Sequence, residues 1–176
     1  AVRAAELTVL AGADDAAARA AVRDGLGDVR GHTGFHGRLD VLQEAPLVVV
    51  DVGHNPPAIG ATLGVVAPVV AERGGTLHVC LNAVRGKKLD ETARLLARRD
   101  AVVTPIPIDT KRALPPSEIA ERLRAQGVRT AAPQPLPDAL EAFRRTAAPG
   151  DALLLTGSHK LVEVLPESAR TSPAAD

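Results

Sequence analysis

The sequence predicts an α/β fold, a mostly parallel sheet with helices on both faces, preceded by a short helical segment. Three observations predict it. From residue 47 to 165, short aliphatic runs alternate with amphipathic stretches, the rhythm of βαβ units. Residues 47–51 read Leu-Val-Val-Val-Asp, an unbroken β-branched run of the kind found in strands covered on both sides. Pro opens and Gly closes several of the helical stretches, at Pro57, at Pro115 or Pro116, and at Gly127.

The elements follow in order. Residues 1–10 are Ala-rich and helical, stopped by Gly12. Asp14 or Asp15 caps a second helix at 16–24, closed by Gly25. Residues 27–34 hold a Gly at each end and one at Gly31, which reads as a linker. Leu39 and Val41 alternate with Arg38 and Asp40, a half-buried strand. The strand at 47–51 precedes an apolar helix at 57–73, which Pro68 is placed to kink. A strand at 76–81 and a helix at 88–99, with Leu89, Ala93 and Leu96 on one face, come next. Residues 101–108 are extended. A helix runs from 115 or 116 to 126 on Ile119 and Leu123, followed by a short strand at 128–132. A helix at 136–147, a strand at 151–155 and a last helix at 158–165 complete the pattern. The tail from Glu167 is polar and is expected to be disordered.

Composition narrows the function. The 176 residues carry 21 Lys and Arg against 21 Asp and Glu, with no net charge. A sequence-independent grip on nucleic acid needs surplus positive charge. The hydrophobic share is 45% but the aromatic share is 1%, Phe35 and Phe143 alone, so stacking platforms for bases are nearly excluded. Cys80 is the only cysteine. It can form no intrachain disulfide, a reducing cytoplasm is the expected compartment, and its place in an apolar strand reads as core. No apolar run approaches the roughly 20 residues of a membrane span, and the charged residues at 1–10 are not expected to act as a signal peptide. The chain has no Met, so it is expected to be processed, trimmed or part of something longer.

In parallel sheets ligands bind beyond the C-terminal strand ends, which directs attention to four loops. The first, Asp51-Val-Gly-His-Asn-Pro-Pro57, ends an apolar strand on a carboxylate, a costly placement unless it is paired or used. His54 and Asn55 then stand before a helix start, where anions are favoured. That grouping suits a ribose hydroxyl and a phosphate. It suits equally a helix capped by Asp51 and Asn55 with His54 exposed. The second loop, Asn82 to Asp90, carries Arg85, Lys87 and Lys88 beside Gly86. It suits a phosphate or a carboxylate, or else a solvated loop whose Asp90 caps the next helix. The third carries Lys111 and Arg112, and the fourth reads Thr156-Gly-Ser-His-Lys160. Each of these two, alone, reads as a solvated loop. Together, four such loops on one edge indicate a site.

Some signatures are missing. The sequence has no Gly-x-x-x-x-Gly-Lys-Ser/Thr loop, no Gly-x-Gly-x-x-Gly and no Gly-x-Ser-x-Gly elbow. The five histidines, with His32 and His36 in the Gly-rich linker, lack metal-ligand spacing, so no metal site is expected in this chain.

Gly37-Arg-Leu-Asp-Val-Leu42, followed after a spacer by Val49-Val-Asp-Val-Gly-His-Asn-Pro56, resembles the start of the C-terminal domain of Mur-type ligases. The nearer resemblance is to folylpolyglutamate synthase/dihydrofolate synthase. The loop from Arg85 to Asp90, Arg112-Ala113 before a Pro-rich helix start, and Thr156-Gly-Ser158 are further points of similarity, and together they cover about residues 14–166. Departures occur at Phe35-His36, where the family has Trp-Pro, and in the second loop, where either Lys87 or Lys88 matches the family lysine.

The resemblance implies a Rossmann-like domain at 38–166, a linker at 31–37, the last helices of a central ATPase domain at 1–30, and a tail at 167–176. It implies a cytoplasmic, monomeric ATP-dependent ligase that adds L-glutamate to dihydropteroate or folate through an acyl phosphate. The phosphate loop and Mg ligands would lie in the ATPase domain, and this chain would be inactive alone. Arg38, Asp51, His54 and Asn55 are the implied ATP-side residues. Arg85, Lys87, Lys88, Arg112 and Ser158 are the implied substrate-side residues, and His54, Lys87 and Lys88 the candidates for a catalytic part. The rival readings are a stand-alone nucleotide- or glutamate-binding module and an unrelated small α/β enzyme.

Overall fold

A computed structural model of the chain describes residues 37–165, together with Ala16 and Ala20, both helical. The chain divides after His36 into two compact units. The expected helices at 1–10 and 16–24, the linker and the tail lie outside the described residues, apart from those two alanines.

The described unit is a six-stranded sheet in the order β1-β2-β6-β3-β4-β5. Strands β1 (Asp40–Glu44) and β2 (Leu47–Asp51) form an antiparallel hairpin. Strands β2, β6 (Ala152–Thr156), β3 (Leu77–Leu81), β4 (Val102–Pro105) and β5 (Arg129–Thr130) are parallel. The helices are α1 (Pro56–Glu72), α2 (Leu89–Ala97), α3 (Pro116–Ala125), α4 (Leu136–Thr146) and α5 (Lys160–Val164).

Strand alternation divides the core into two layers. Leu47, Val49, Val79, Leu81, Val103 and Leu154 face one side, where α1, α2 and α3 pack through Ile59, Leu63, Leu96, Ile119 and Leu123. Val48, Val50, Cys80, Leu153 and Leu155 face the other, beneath Leu140 and Phe143 of α4 and Leu161 of α5. Every residue of β2 and β6 is buried, whereas β1 and β5, at the edges, are partly open. This is why β2 reads as a continuous apolar run and β1 as an alternating one.

Three local expectations are revised. Helix α1 continues through the exposed Pro68 to Glu72. The extended segments at 101–108 and 128–132 pair only over four and two residues, because the sheet ends there. Asp90 does not cap α2. It lies within the first turn and accepts hydrogen bonds from Nε and Nη2 of Arg122 in α3, at 3.0 and 2.9 Å.

The topology positions the site. The chain leaves β2 toward the α1 face and leaves β6, its parallel neighbour, toward the α5 face. The two departing loops diverge, which opens a crevice above the strand ends. No helix among the described residues is long and apolar enough to cross a membrane.

Candidate functional site at the strand ends

Asp51 ends β2 and is 6% exposed. Its Oδ1 accepts the N–H of Gly53 at 2.8 Å and its Oδ2 the N–H of Leu39 at 3.2 Å. Val52 N–H donates to the Gly37 carbonyl at 2.9 Å, and Gly37 N–H to Asp40 Oδ2 at 2.6 Å. The arch at 37–39 that carries the exposed Arg38 is thus tied down on both sides. The carboxylate whose burial looked costly is used as this tie.

The start of α1 is capped as one of the two readings has it. Asn55 is the N-cap, its Oδ1 accepting Ala58 N–H at 3.0 Å. Pro56 and Pro57 have no N–H, and Ile59 N–H already donates to the Asn55 carbonyl at 3.0 Å. Within residues 56–59 no N–H is left free. His54, half-buried, has Nδ1 3.3 Å from the Val52 carbonyl. A carbonyl only accepts, so the contact is a hydrogen bond when Nδ1 carries a proton. The His159 ring lies 5.5 Å away, centroid to centroid.

The turn after β6 locks the crevice floor. Thr156 Oγ1 and Gly157 N–H both donate to the Gly53 carbonyl, at 3.0 and 2.9 Å, and Asn82 N–H donates to the Thr156 carbonyl at 3.3 Å. Gly157 has φ +115, and a Cβ there would collide with the Asn82 carbonyl. Only glycine lets these two backbones approach so closely. Ser158 Oγ accepts Lys160 N–H at 3.2 Å within its own turn.

The two basic loops form one ribbon. Arg85 N–H donates to the Arg112 carbonyl at 2.8 Å, Arg112 Nη2 donates back to the Arg85 carbonyl at 2.9 Å, and Leu114 N–H donates to Ala83. The side chains of Arg85, Lys87, Lys88, Lys111 and Arg112 are exposed. The adjacent lysines diverge: Lys87 lines a small cavity with His54 and Gly157, whereas Lys88 pairs with Glu91 at 2.9 Å.

The same cavity, about 20 Å³, reveals a residue the sequence reading passed over. Asn82 follows the last residue of β3 and is 1% exposed, yet neither its Nδ2 nor its Oδ1 has a hydrogen-bond partner. Leaving a buried carboxamide unmatched costs about 1–3 kcal/mol. The signal was visible, because a polar residue closes the apolar run Leu-His-Val-Cys-Leu just as Asp51 closes Leu-Val-Val-Val.

The remaining chemistry is structural. Burial pushes the Cys80 thiol up to about 12, so it is protonated and inert. Among the described residues no three His, Cys, Asp or Glu side chains converge. The cations at the strand ends, by contrast, fit anionic ligands.

The chain matches the family model described as Mur ligase, glutamate ligase domain, over residues 37–159. No curated protein sequence matches it. Among solved structures it is similar to a bifunctional folylpolyglutamate synthase/dihydrofolate synthase with Mn, AMPPNP and L-glutamate bound, at 24% identity and a TM-score of 0.62, covering 74% of this chain and 30% of that one. E. coli FolC in complex with ADP matches at 20% identity and a TM-score of 0.59, with coverage of 74% and 30%. A Mycobacterium tuberculosis folylpolyglutamate synthase complexed with ADP and AMPPCP matches at 24% and 0.56, with coverage of 70% and 30%. The chain therefore spans about 30% of the length of these structures. With its fold, its strand-end crevice and the family match over most of its length, the chain belongs to the family of Mur ligase glutamate ligase domains.

Proposed function

We propose that this chain is the C-terminal domain of an ATP-dependent amide ligase that joins L-glutamate to dihydropteroate or folate through an acyl phosphate. The observation that carries the reading is the convergence of His54, Lys87, Asn82 and Gly157 on one cavity between the diverging loops. Two kinds of support stand beside it: the family's description as a glutamate ligase domain, and the nucleotides and L-glutamate named for the similar structures.

Amide synthesis from a carboxylate needs that carboxylate activated and the amine held near it without its proton. A transferring phosphoryl group and a glutamate side chain are both anionic, and fixed cations stabilise them better than mobile water. In this reading Lys87 pairs with a glutamate carboxylate, and the His54 ring faces the incoming amine. Arg85, Arg112 and Ser158 border the substrate side. Lys88, held by Glu91, contributes field rather than contact. Arg38 faces the nucleotide, with Asp51 and Asn55 shaping the arch and helix start beside it. Residues 1–30 belong to the end of an ATPase domain, 31–37 to a linker and 38–166 to this domain. The phosphate loop and the Mg ligands lie in the rest of the enzyme, and the chain alone does not turn over.

The coding sequence upstream of Ala1 is the first test. A phosphate-loop motif is expected there, and a start codon directly before Ala1 would contradict the reading. The protein with that upstream region should incorporate L-glutamate into dihydropteroate or folate only with ATP. Lys87→Ala should depress incorporation more than Lys88→Ala.

A further inference from the structure

Asn82 is the one buried side chain among the described residues whose polar atoms are both without a protein partner. Its backbone is well matched. The N–H donates to the Thr156 carbonyl at 3.3 Å, and its own carbonyl lies against Gly157. Only the carboxamide is left over, and a buried carboxamide without partners costs stability. It points to a bound group.

Size and chemistry select that group. The cavity that Asn82 lines has a volume of about 20 Å³, room for one water-sized group and no more. The carboxamide presents a donor, Nδ2, beside an acceptor, Oδ1. A cation meets the wrong sign at Nδ2, an anion meets it at Oδ1, and an apolar group answers neither. A water molecule answers both, because it donates to Oδ1 and accepts from Nδ2. A buried water takes about two to four partners. Asn82 offers two, and His54, Lys87 and Thr92 carry the other polar side chains on the cavity walls.

We infer that the Asn82 carboxamide binds one ordered water as a fixed part of the crevice floor, whatever reaction the crevice serves. The floor beneath the basic loop then holds a hydrogen-bonding group that no side chain supplies.

The chain contains two asparagines, Asn55 and Asn82, so ¹⁵N-asparagine labelling of the full 176-residue chain gives two carboxamide signals. The Asn55 pair is the one lost in Asn55→Asp, which keeps a capping side chain. Water-selective NOE and ROE spectra are recorded without added ligand. A long-lived buried water should give the Asn82 pair NOE and ROE signals of opposite sign, as passing surface solvent does not. These signals should persist in Thr92→Val and in Lys87→Ala, which lack the labile protons that could relay them. In crystals of the chain, density should lie about 2.7–3.2 Å from both Oδ1 and Nδ2, and it should be lost in Asn82→Leu. NOE and ROE signals of the same sign, signals that vanish with Thr92 or Lys87, or a carboxamide turned onto a protein partner would each overturn the inference.

Discussion

The Asp51 carboxylate accepts the backbone N–H of Leu39 at 3.2 Å, and Leu39 sits at φ +52. A left-handed leucine costs roughly 1–2 kcal/mol, so this bond and its partner to Gly53 hold a strained arch in place. Asp51→Asn supplies only one acceptor oxygen for two donors, one of them buried. It should cost about 1–3 kcal/mol and lower Tm by roughly 5 °C, seen by thermal unfolding. An unchanged Tm would mean that Asp51 does not carry the arch.

Gly157→Ala should be more damaging than an ordinary loop substitution. The new Cβ meets the Asn82 carbonyl at a positive φ, whereas Gly74, also at positive φ, faces open space. Gly74→Ala should cost about 1 kcal/mol, and Gly157→Ala at least about twice that because backbone must move as well. Urea unfolding of the two variants side by side checks the ranking, and equal costs would refute the close approach.

Stability should fall between about pH 7.5 and pH 5.5, with His78 as the cause. Burial pushes the His78 imidazole down, Asp151 lifts it in part, and Arg129 lowers it again. The net folded pKa is below the unfolded value of roughly 6.5, so unfolding takes up a proton in this range. The stabilisation is complete above the unfolded value and is lost as pH falls through it toward the folded one. The ring also lies edge-on to Phe143 at 5.3 Å. His78→Gln should flatten the Tm-versus-pH curve over this window; a curve of unchanged slope would assign the effect elsewhere. Asp151 does not confuse the result. Its partial burial raises the carboxyl, but Thr76 and Ala148 N–H bonds and His78 outweigh this and leave it lowered, so its contribution is lost only under more acid conditions.

Cys80 should resist thiol reagents in the folded chain. It is 1% exposed and its thiol is pushed up to about 12. Labelling should be complete only after denaturation, and rapid labelling of the native chain would show that the central strands open.

Much of this was legible in the sequence because each element leaves a local mark. β2 and β6 are read from their apolar runs, and α2, α3 and α4 from their spacing and their Pro or Gly boundaries. The strand order was not legible. β6 inserts between β2 and β3, pairing residues 105 and 75 positions apart along the chain. The site was half legible. Asp51, His54, Lys87 and the turn at Gly157 stood out by residue type. The Asn55 cap of α1 was legible as one of two readings, because Asn before Pro-Pro is a local mark of a helix start. The divergence of Lys87 and Lys88 is set by which of them meets Glu91 across one helical turn. Asn82 was passed over because its importance lies in missing partners, which only three-dimensional packing discloses.

In the proposed ligase the crevice above β2, β6 and β3 holds the acceptor glutamate. The most direct measurement is a backbone amide titration of the whole chain with L-glutamate, repeated with Lys87→Ala and with Lys88→Ala. Shifts should cluster at His54, Asn82, Lys87, Gly157 and Ser158, be abolished by Lys87→Ala and be kept by Lys88→Ala. Shifts clustered instead around Asp100 and Arg129 at the opposite end of the sheet, or a response indifferent to Lys87, would contradict it.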